Sequence, residues 1–331
     1  MKETPLYPLQ FEPIYQYRPW GGRRLGNLLS APLPGDGPIG EAWILSDRPD
    51  HASLVARGPL KGKTIAQLLQ QAPDQFMGKL AGRFHRFPLL LKFLDARDTL
   101  SVQVHPSDQQ TRYLPAGESG KTEGWVVLEA GRHGCIYAGL KRATTAEEVR
   151  RAITTRTVPD CLASFTPGIG DAILLEAGTV HSLGDLVVFE VQENSDVTFR
   201  LFDWDHVDAR TGRPRALQVE EALACIDFSQ GAVRPVAPEV AQGEQVRRER
   251  LFVSQHFGLW RLCADSPFMV GATETPRVLV CIAGGGQLEH GGASYQFGKG
   301  DVLLVPAVVG ACLCRTHGEV TLLEISLPEG N

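Results

Sequence analysis

Apolar and polar residues alternate through Leu100-Ser101-Val102-Gln103-Val104-His105, and Pro106 ends the run. That period of two predicts a β-strand with Gln103 and His105 on one face, stopped by the proline. Gly40-Glu41-Ala42-Trp43-Ile44-Leu45-Ser46-Asp47 also reads as a strand, with Trp43 and Leu45 on one face. Phe87-Pro88-Leu89-Leu90-Leu91-Lys92-Phe93-Leu94-Asp95 is nearly all apolar and predicts a buried strand or strand pair. Glu123 stands at the start of a strand through Trp125-Val126-Val127-Leu128, and a second strand follows at Gly134-Cys135-Ile136-Tyr137-Ala138-Gly139. Residues 161–200 predict three more strands, around Cys161-Leu162-Ala163-Ser164-Phe165, Asp171-Ala172-Ile173-Leu174-Leu175 and Leu186-Val187-Val188-Phe189-Glu190-Val191-Gln192.

Helical spacing is confined to three short stretches. Thr64-Ile65-Ala66-Gln67-Leu68-Leu69-Gln70 places apolar residues at i, i+3 and i+4 behind a threonine cap. Residues 144–153 predict a second helix, capped by Thr144 or Thr145 with Glu147 or Glu148 three residues on. Residues 215–223, after Pro214, predict a third. Residues 229–250 are poor in apolar side chains and predict a linker or an exposed crossing. From Leu251 onward the chain reads as strands and glycine turns.

Composition narrows the class. The chain has 331 residues, long enough for two domain-sized cores. Its 35 glycines and 22 prolines suit many turns and therefore many short strands. The net charge of -5 supplies no basic field for nucleic acid or an anionic membrane. No apolar run approaches the ~20 residues of a membrane span. The opening Met1-Lys2-Glu3-Thr4-Pro5-Leu6-Tyr7-Pro8 has no apolar core and does not read as a secretory signal. The seven cysteines include no C-x-x-C pair, and Cys281, Cys312 and Cys314 fall in apolar runs. Reduced, mostly buried thiols in a cytoplasmic protein are expected.

An internal repeat bears on the chemistry. Ala163-Ser164-Phe165-Thr166-Pro167-Gly168-Ile169-Gly170-Asp171 parallels Ala293-Ser294-Tyr295-Gln296-Phe297-Gly298-Lys299-Gly300-Asp301, at a constant spacing of 130 positions. Upstream, Val126-Val127-Leu128-Glu129-Ala130-Gly131 aligns with Leu279-Val280-Cys281-Ile282-Ala283-Gly284, at a spacing of 153. The chain thus reads as two copies of one β unit, the first enlarged by a helix. His105, Glu123 and His181 are metal-ligand types delivered by predicted strands of the first copy, with Gln103 a possible fourth. This alignment puts Ala311 opposite His181 and Pro276 opposite Glu123. One functional copy and one degenerate copy would give that asymmetry. Imidazole with carboxylate suits zinc, iron, nickel or manganese, and two histidines with one carboxylate leave a position open. The other seven histidines read as packing or surface residues.

Two sets of motifs carry a resemblance. Gly170 to His181 resembles the second metal motif of the cupin β-barrels, with Glu176 where proline is usual and Pro306 at that position of the second copy. Gln103-Val104-His105-Pro106, Lys121-Thr122-Glu123, Gly178-Thr179-Val180-His181-Ser182-Leu183-Gly184 and Asn194-Ser195-Asp196-Val197-Thr198-Phe199-Arg200 together resemble the zinc-dependent type I mannose-6-phosphate isomerases. Trp20-Gly21-Gly22 and Gly40-Glu41-Ala42-Trp43 fit the same family. The likeness covers most of residues 10–228, is weaker beyond, and is to the short bacterial form. It implies an all-β, bicupin-like fold of two jelly-roll units with a few short helices. It implies a catalytic domain over 1–228, a crossing over 229–250 and a degenerate cupin over 251–331. It implies one zinc held by Gln103, His105, Glu123 and His181, with Arg200, Glu190, Asp196 and Lys121 serving catalysis or the sugar-phosphate pocket.

The implied reaction moves a proton between C1 and C2 of a sugar phosphate through an enediol. It needs a cation near the oxygens, a base and a grip on phosphate. Arg200 is always charged and is a poor base. Glu190 and Asp196 are the candidate bases, and Lys121 a second cation. Without the resemblance, Asp196 and Arg200 read as an ordinary surface ion pair. Two other classes remain open on the residues alone. One is a non-haem iron oxygenase built on the same two histidines and carboxylate; the other is a sugar-binding cupin without catalysis.

Overall fold

The near-continuous apolar runs of the first half become strands covered on both faces. The computed structural model describes residues 4–29, 32–241 and 246–328. Residues 1–3 of the opening segment and 242–245 of the expected crossing lie outside the described residues. The first half is built on β1 (Glu41–Leu45), β2 (Leu89–Ala96), β3 (Val102–Val104), β4 (Glu123–Leu140), β5 (Ala172–Leu175), β6 (His181–Glu193) and β7 (Phe199–Phe202). The order across the sheet is β5, β4, β6, β2, β1, with Ile14–Gln16 beyond, and β3 joins β6 to β7 off that path. Side chains two apart share a face. Leu91 and Phe93 of β2 and Val187, Phe189 and Val191 of β6 enter the largest core. Leu94, Leu186 and Val188, on the alternate positions, fill a separate core with Trp125, Ile136 and Ile173. Lys92 and Glu190 face each other in register on that inner side.

The second half supplies the cover for the outer face. Its strands β8 (Arg247–Val253), β9 (Gly258–Ala264), β10 (Arg277–Ala283), β11 (Val302–Val305) and β12 (Val320–Ser326) form one sheet in the order β11, β10, β12, β9, β8. Leu9–Gln10 closes one edge by pairing with β11, and Glu239–Val240 closes the other by pairing with β8. A four-stranded sheet of Phe268–Val270, Cys312–Thr316, Gly285–His290 and Ala293–Gly298 completes the unit. Leu259, Leu279 and Leu303 of one sheet and Val270, Leu288 and Cys314 of the other share the core that β2 and β6 enter. The result is the expected mostly-β cupin architecture with a few short helices. The 229–241 stretch crosses while hydrogen-bonded: Val233 N–H donates to Ala138 O at 3.0 Å and Val236 N–H to Ala172 O at 2.8 Å.

The repeat is visible in hydrogen bonds. Gly168 and Gly298 N–H each donate to the Asp three residues on, Asp171 and Asp301, at 2.8 Å. Gly170 N–H donates to Val127 O and Gly300 N–H to Cys281 O, both at 2.8 Å. Val127 therefore matches Cys281, one residue along from the sequence alignment. Leu175 opposes Glu123 and Val305 opposes Arg277. The counterpart of Glu123 is thus Arg277 and not Pro276. A one-residue slip in a strand exchanges its faces, and the short apolar run alone could not set it.

Other expectations shift for local reasons. The two strands expected between 123 and 139 are one long strand, irregular in its pairing with β6. A bulge between Trp43 and Leu45 parts that pair. Leu45 joins the large core, while Trp43 Nε1 donates to Glu41 Oε2 at 2.7 Å. Thr64 with Gln67 and Thr145 with Glu148 form capping boxes on helices Ile65–Gln71 and Ala146–Thr155. Helices Leu25–Leu28 and Pro73–Met77 join the three read from spacing. The third helix begins only at Val219, because Arg213–Pro214 pairs with Val207–Asp208 and Asp203 holds Arg215.

Candidate active site

Strand ends bring the ligand candidates together. His181 opens β6 opposite Gln103 of β3, His105 follows β3, and Glu123 opens β4. Two backbone bonds draw the turns in: Gly178 N–H donates to His105 O at 2.9 Å and Lys121 N–H to Pro106 O at 3.0 Å. Gly178 has φ +89, a left-handed value that favours glycine. One ligand atom from each of His105, Glu123 and His181 lies within 4.8 Å of the others, and all three residues are buried. His105 Nε2 is 3.4 Å from Glu123 Oε2, and His181 Nε2 is 3.2 Å from Glu123 Oε1.

The proton positions follow from the partners. His105 Nδ1 lies 2.8 Å from Val197 O and His181 Nδ1 lies 2.9 Å from Thr179 O. A carbonyl can only accept, so each Nδ1 carries the proton and each Nε2 turns a lone pair toward Glu123. Both Glu123 oxygens are buried without a hydrogen-bond partner. Two imidazole lone pairs and a carboxylate converging in a buried pocket are the donor set of a cation site. The Gln103 amide nitrogen lies 3.2 Å from His181 Nε2, so Gln103 stands beside the cluster. Lys121 Nζ lies 2.9 Å from Glu123 Oε2 and 3.2 Å from His105 Nε2.

Electrostatics follow burial and these neighbours. Burial, then Lys121, pushes the His105 imidazole down to about 3, against the pull of Glu123. Burial also lowers His181, again opposed by Glu123. Glu123 is held well below the usual carboxylate range: burial works the other way, and the Lys121 charge leads what opposes it. Lys121 is raised despite burial, because Glu123 and Glu190 hold its charge.

Beside the cluster opens a cavity of about 400 Å³ lined by Gln103, Lys121, Trp125, Glu190, Asp196 and Arg200. Arg18, Trp20, Glu41, Lys92, Ser101 and Arg215 complete much of its wall. Glu190 is buried; Oε2 accepts from Trp125 Nε1 at 2.8 Å, and Oε1 has no hydrogen-bond partner although Lys92 Nζ is 3.4 Å away. Burial, then the charge of Glu123, raises its pKa against the pull of Lys92. Asp196 is half-exposed, 4.0 Å from Lys92 Nζ. The Asp196–Arg200 pair suggested by chain proximity does not form. Arg200 Nε instead donates to Ser101 Oγ at 3.2 Å and its Nη1 to Ala216 O at 3.1 Å.

Every candidate named from the sequence reaches the cluster or the cavity. Lys92, Glu41 and Arg18 were missed. Arg18 pairs with Glu41 at 2.9 Å, and with Lys92 it holds that buried carboxyl at about 2 against the effect of burial. The available signal was a lysine inside Leu89-Leu90-Leu91-Lys92-Phe93-Leu94, since a buried charge in an apolar strand needs partners. His256, read as an ordinary surface or core residue, lies with Asp108 and Glu193 in a second group of potential ligand atoms.

Comparisons with known proteins agree with this arrangement. A family model described as phosphomannose isomerase type I, catalytic domain, matches residues 8–121. Mannose-6-phosphate isomerase ManA of Bacillus subtilis is 33% identical over 316 residues, covering 94% of this chain and 97% of that protein. The mannose-6-phosphate isomerase of Streptococcus mutans is 31% identical over 303 residues, covering 91% and 93%. The crystal structure of a mannose 6-phosphate isomerase from Bacillus subtilis superposes with a TM-score of 0.88 at 26% identity, over 97% of this chain and 99% of that one. With the fold, the His-Glu-His cluster and these relatives in agreement, the chain belongs to the type I phosphomannose isomerase family.

Proposed function

We propose that the cavity beside His105, Glu123 and His181 is where this enzyme interconverts mannose 6-phosphate and fructose 6-phosphate. The observation that carries the assignment is Glu190: a buried carboxylate of raised pKa, with one oxygen unpartnered on the cavity wall. A base that moves a proton between adjacent carbons must be near the operating pH and shielded from water. Trp125 orients Glu190 through its other oxygen, and Lys92 balances the charge once the proton leaves. Asp196, half-exposed at the rim, is better placed to contact sugar hydroxyls. Arg200, anchored by Ser101 and Ala216, faces the cavity as a cation for the enediolate or the phosphate. Lys121 neutralises Glu123 and extends toward the same space.

His105, Glu123 and His181, with Gln103 alongside, would hold a zinc ion, which supplies Lewis-acid polarisation of the substrate oxygens without redox change. Residues 1–228 would then carry the chemistry, with 251–331 backing the outer face of their sheet. Seven free cysteines, four of them buried, support a cytoplasmic location. The test is a coupled assay of mannose 6-phosphate conversion with and without chelator, together with metal analysis. The reading expects turnover, its loss to chelator, and recovery on adding zinc. His105→Ala should lose metal and turnover together. Bound iron with oxygen uptake and no isomerisation would overturn it.

A further inference from the structure

The chemistry sits on the first barrel, yet the start of β4 is gripped by the second. Glu193, the last residue of β6, is buried, and its Oε1 accepts the Thr122 N–H at 2.7 Å. Its Oε2 lies 3.1 Å from Nδ1 of His256. His256 belongs to the turn between β8 and β9, where its own N–H donates to Ser254 Oγ at 3.1 Å. Phe252, near the end of β8, lies across Gly124: a β-carbon there would stand 2.3 Å from Phe252 Cζ. Thr122 precedes Glu123 and Gly124 follows it. One hairpin of the second barrel therefore meets the backbone directly at Gly124, through Phe252, and reaches the Thr122 N–H through Glu193, on the two sides of a residue assigned to the metal.

We propose that this hairpin is a positioning element for catalysis, with His256 setting the place of Glu123 through Glu193 and Thr122. The inference rests on the reading of Glu123 as a metal ligand. Removing the imidazole leaves the buried Glu193 without its Oε2 partner, and an unpaired buried carboxylate is costly. Glu193 would turn toward water, which weakens its hold on the Thr122 N–H. The ligand one residue on would then lose its fixed approach. Asp108 acts beside it: its Oδ1 accepts the Gly120 N–H at 2.7 Å, at the other end of the same turn. Glu193, Asp108 and Glu176 all favour the charged imidazole, the Glu193 hydrogen bond most, against the effect of burial. A degenerate second copy without matching ligands thus serves the site from outside it.

The test uses the full chain loaded with cobalt(II), whose visible absorption reports ligand geometry. His256→Ala should alter that absorption and release cobalt to chelator about tenfold faster, the lower end of effects seen when a residue behind a ligand is removed. It should lower kcat with KM little changed. His256→Gln, which still offers Glu193 a donor, should bring release back to within about twofold of the parent. Arg315→Ala breaks an exposed ion pair with Glu289 in the same barrel and controls for general destabilisation; it should leave release unchanged. If His256→Ala fails to fold, Phe252→Leu takes its place with the same readouts. Parent-like absorption and release in the folded variant overturn the positioning role while the metal reading stands. A second equivalent of cobalt, bound by the parent and lost in His256→Ala, also overturns it, because Asp108, Glu193 and His256 would then be a cation site. No cobalt spectrum in the parent, or one unaffected by His105→Ala, overturns the metal reading and this inference together.

Discussion

Glu190 and Asp196 carry the same functional group in different surroundings, and the surroundings separate them. Burial, the larger cause of the raised Glu190 pKa, does not depend on what fills the cluster. As a base, Glu190 must be ionised. Activity should therefore rise with pH through a pKa above the ordinary glutamate value of about 4.3 and level off beyond it. The acid limb of the kcat/KM profile checks this sign; a limb at or below that ordinary value contradicts it. Glu190→Gln should cost roughly 100- to 10,000-fold in kcat, the range for a lost general base. Arg200 hydrogen-bonds to Ser101, Ala216 and Gln218 and to none of the cluster residues. Arg200→Ala should keep the metal and lower kcat/KM by roughly 100- to 1000-fold. Metal analysis of that variant separates a charge-stabilising arginine from a structural one. Lys92 shows where residue-level reading falls short. Its position in an apolar strand was visible, but Glu190, Asp196 and Trp43 come to it from β6, a loop and β1.

At the scale of elements, β6 carries most of the organisation. Its first residue is His181, its inner face includes Glu190, and its last residue is Glu193. Antiparallel pairing with β4 sets Glu190 opposite Trp125 and Gln192 opposite Glu123, so one register places ligand and base together. The strand period made these alignments plausible from the chain, and the capped helices were readable from Thr64 with Gln67 and Thr145 with Glu148. Bulges were not readable. The break between Trp43 and Leu45 and the one-residue difference between Pro276 and Arg277 both depend on pairing partners. Gly124 gives an element-scale test. Gly124→Ala drives a methyl into the buried ring of Phe252 and should cost about 1–3 kcal/mol by overpacking. Denaturant unfolding of the variant measures it, and an unchanged midpoint contradicts the contact.

At the scale of the whole molecule, the two barrels share one core. Phe93 and Phe189 of the first half pack in the same cluster as Leu259, Leu279 and Leu303 of the second. Leu9–Gln10, from the start of the chain, is a strand of the second sheet. Neither half buries its apolar surface without the other. Thermal unfolding should therefore give a single calorimetric transition with matching van't Hoff and calorimetric enthalpies. Two resolved transitions would show that the halves fold separately.

Local pattern determined much of this protein. Strand period, proline stops, threonine caps and the repeated Gly-x-Gly-Asp turn are written in neighbouring residues, and so were the ligand types His105, Glu123 and His181. Those features act within a few residues, so the chain displays them directly. Tertiary structure alone decided what distant strands bring together. It set the two imidazoles and the carboxylate around one point, the burial that raises Glu190 and the partners of Lys92. It also laid the second barrel's Phe252 and His256 against the turn that delivers Glu123. Burial and close approach are properties of the packed chain, and no short stretch of sequence contains them.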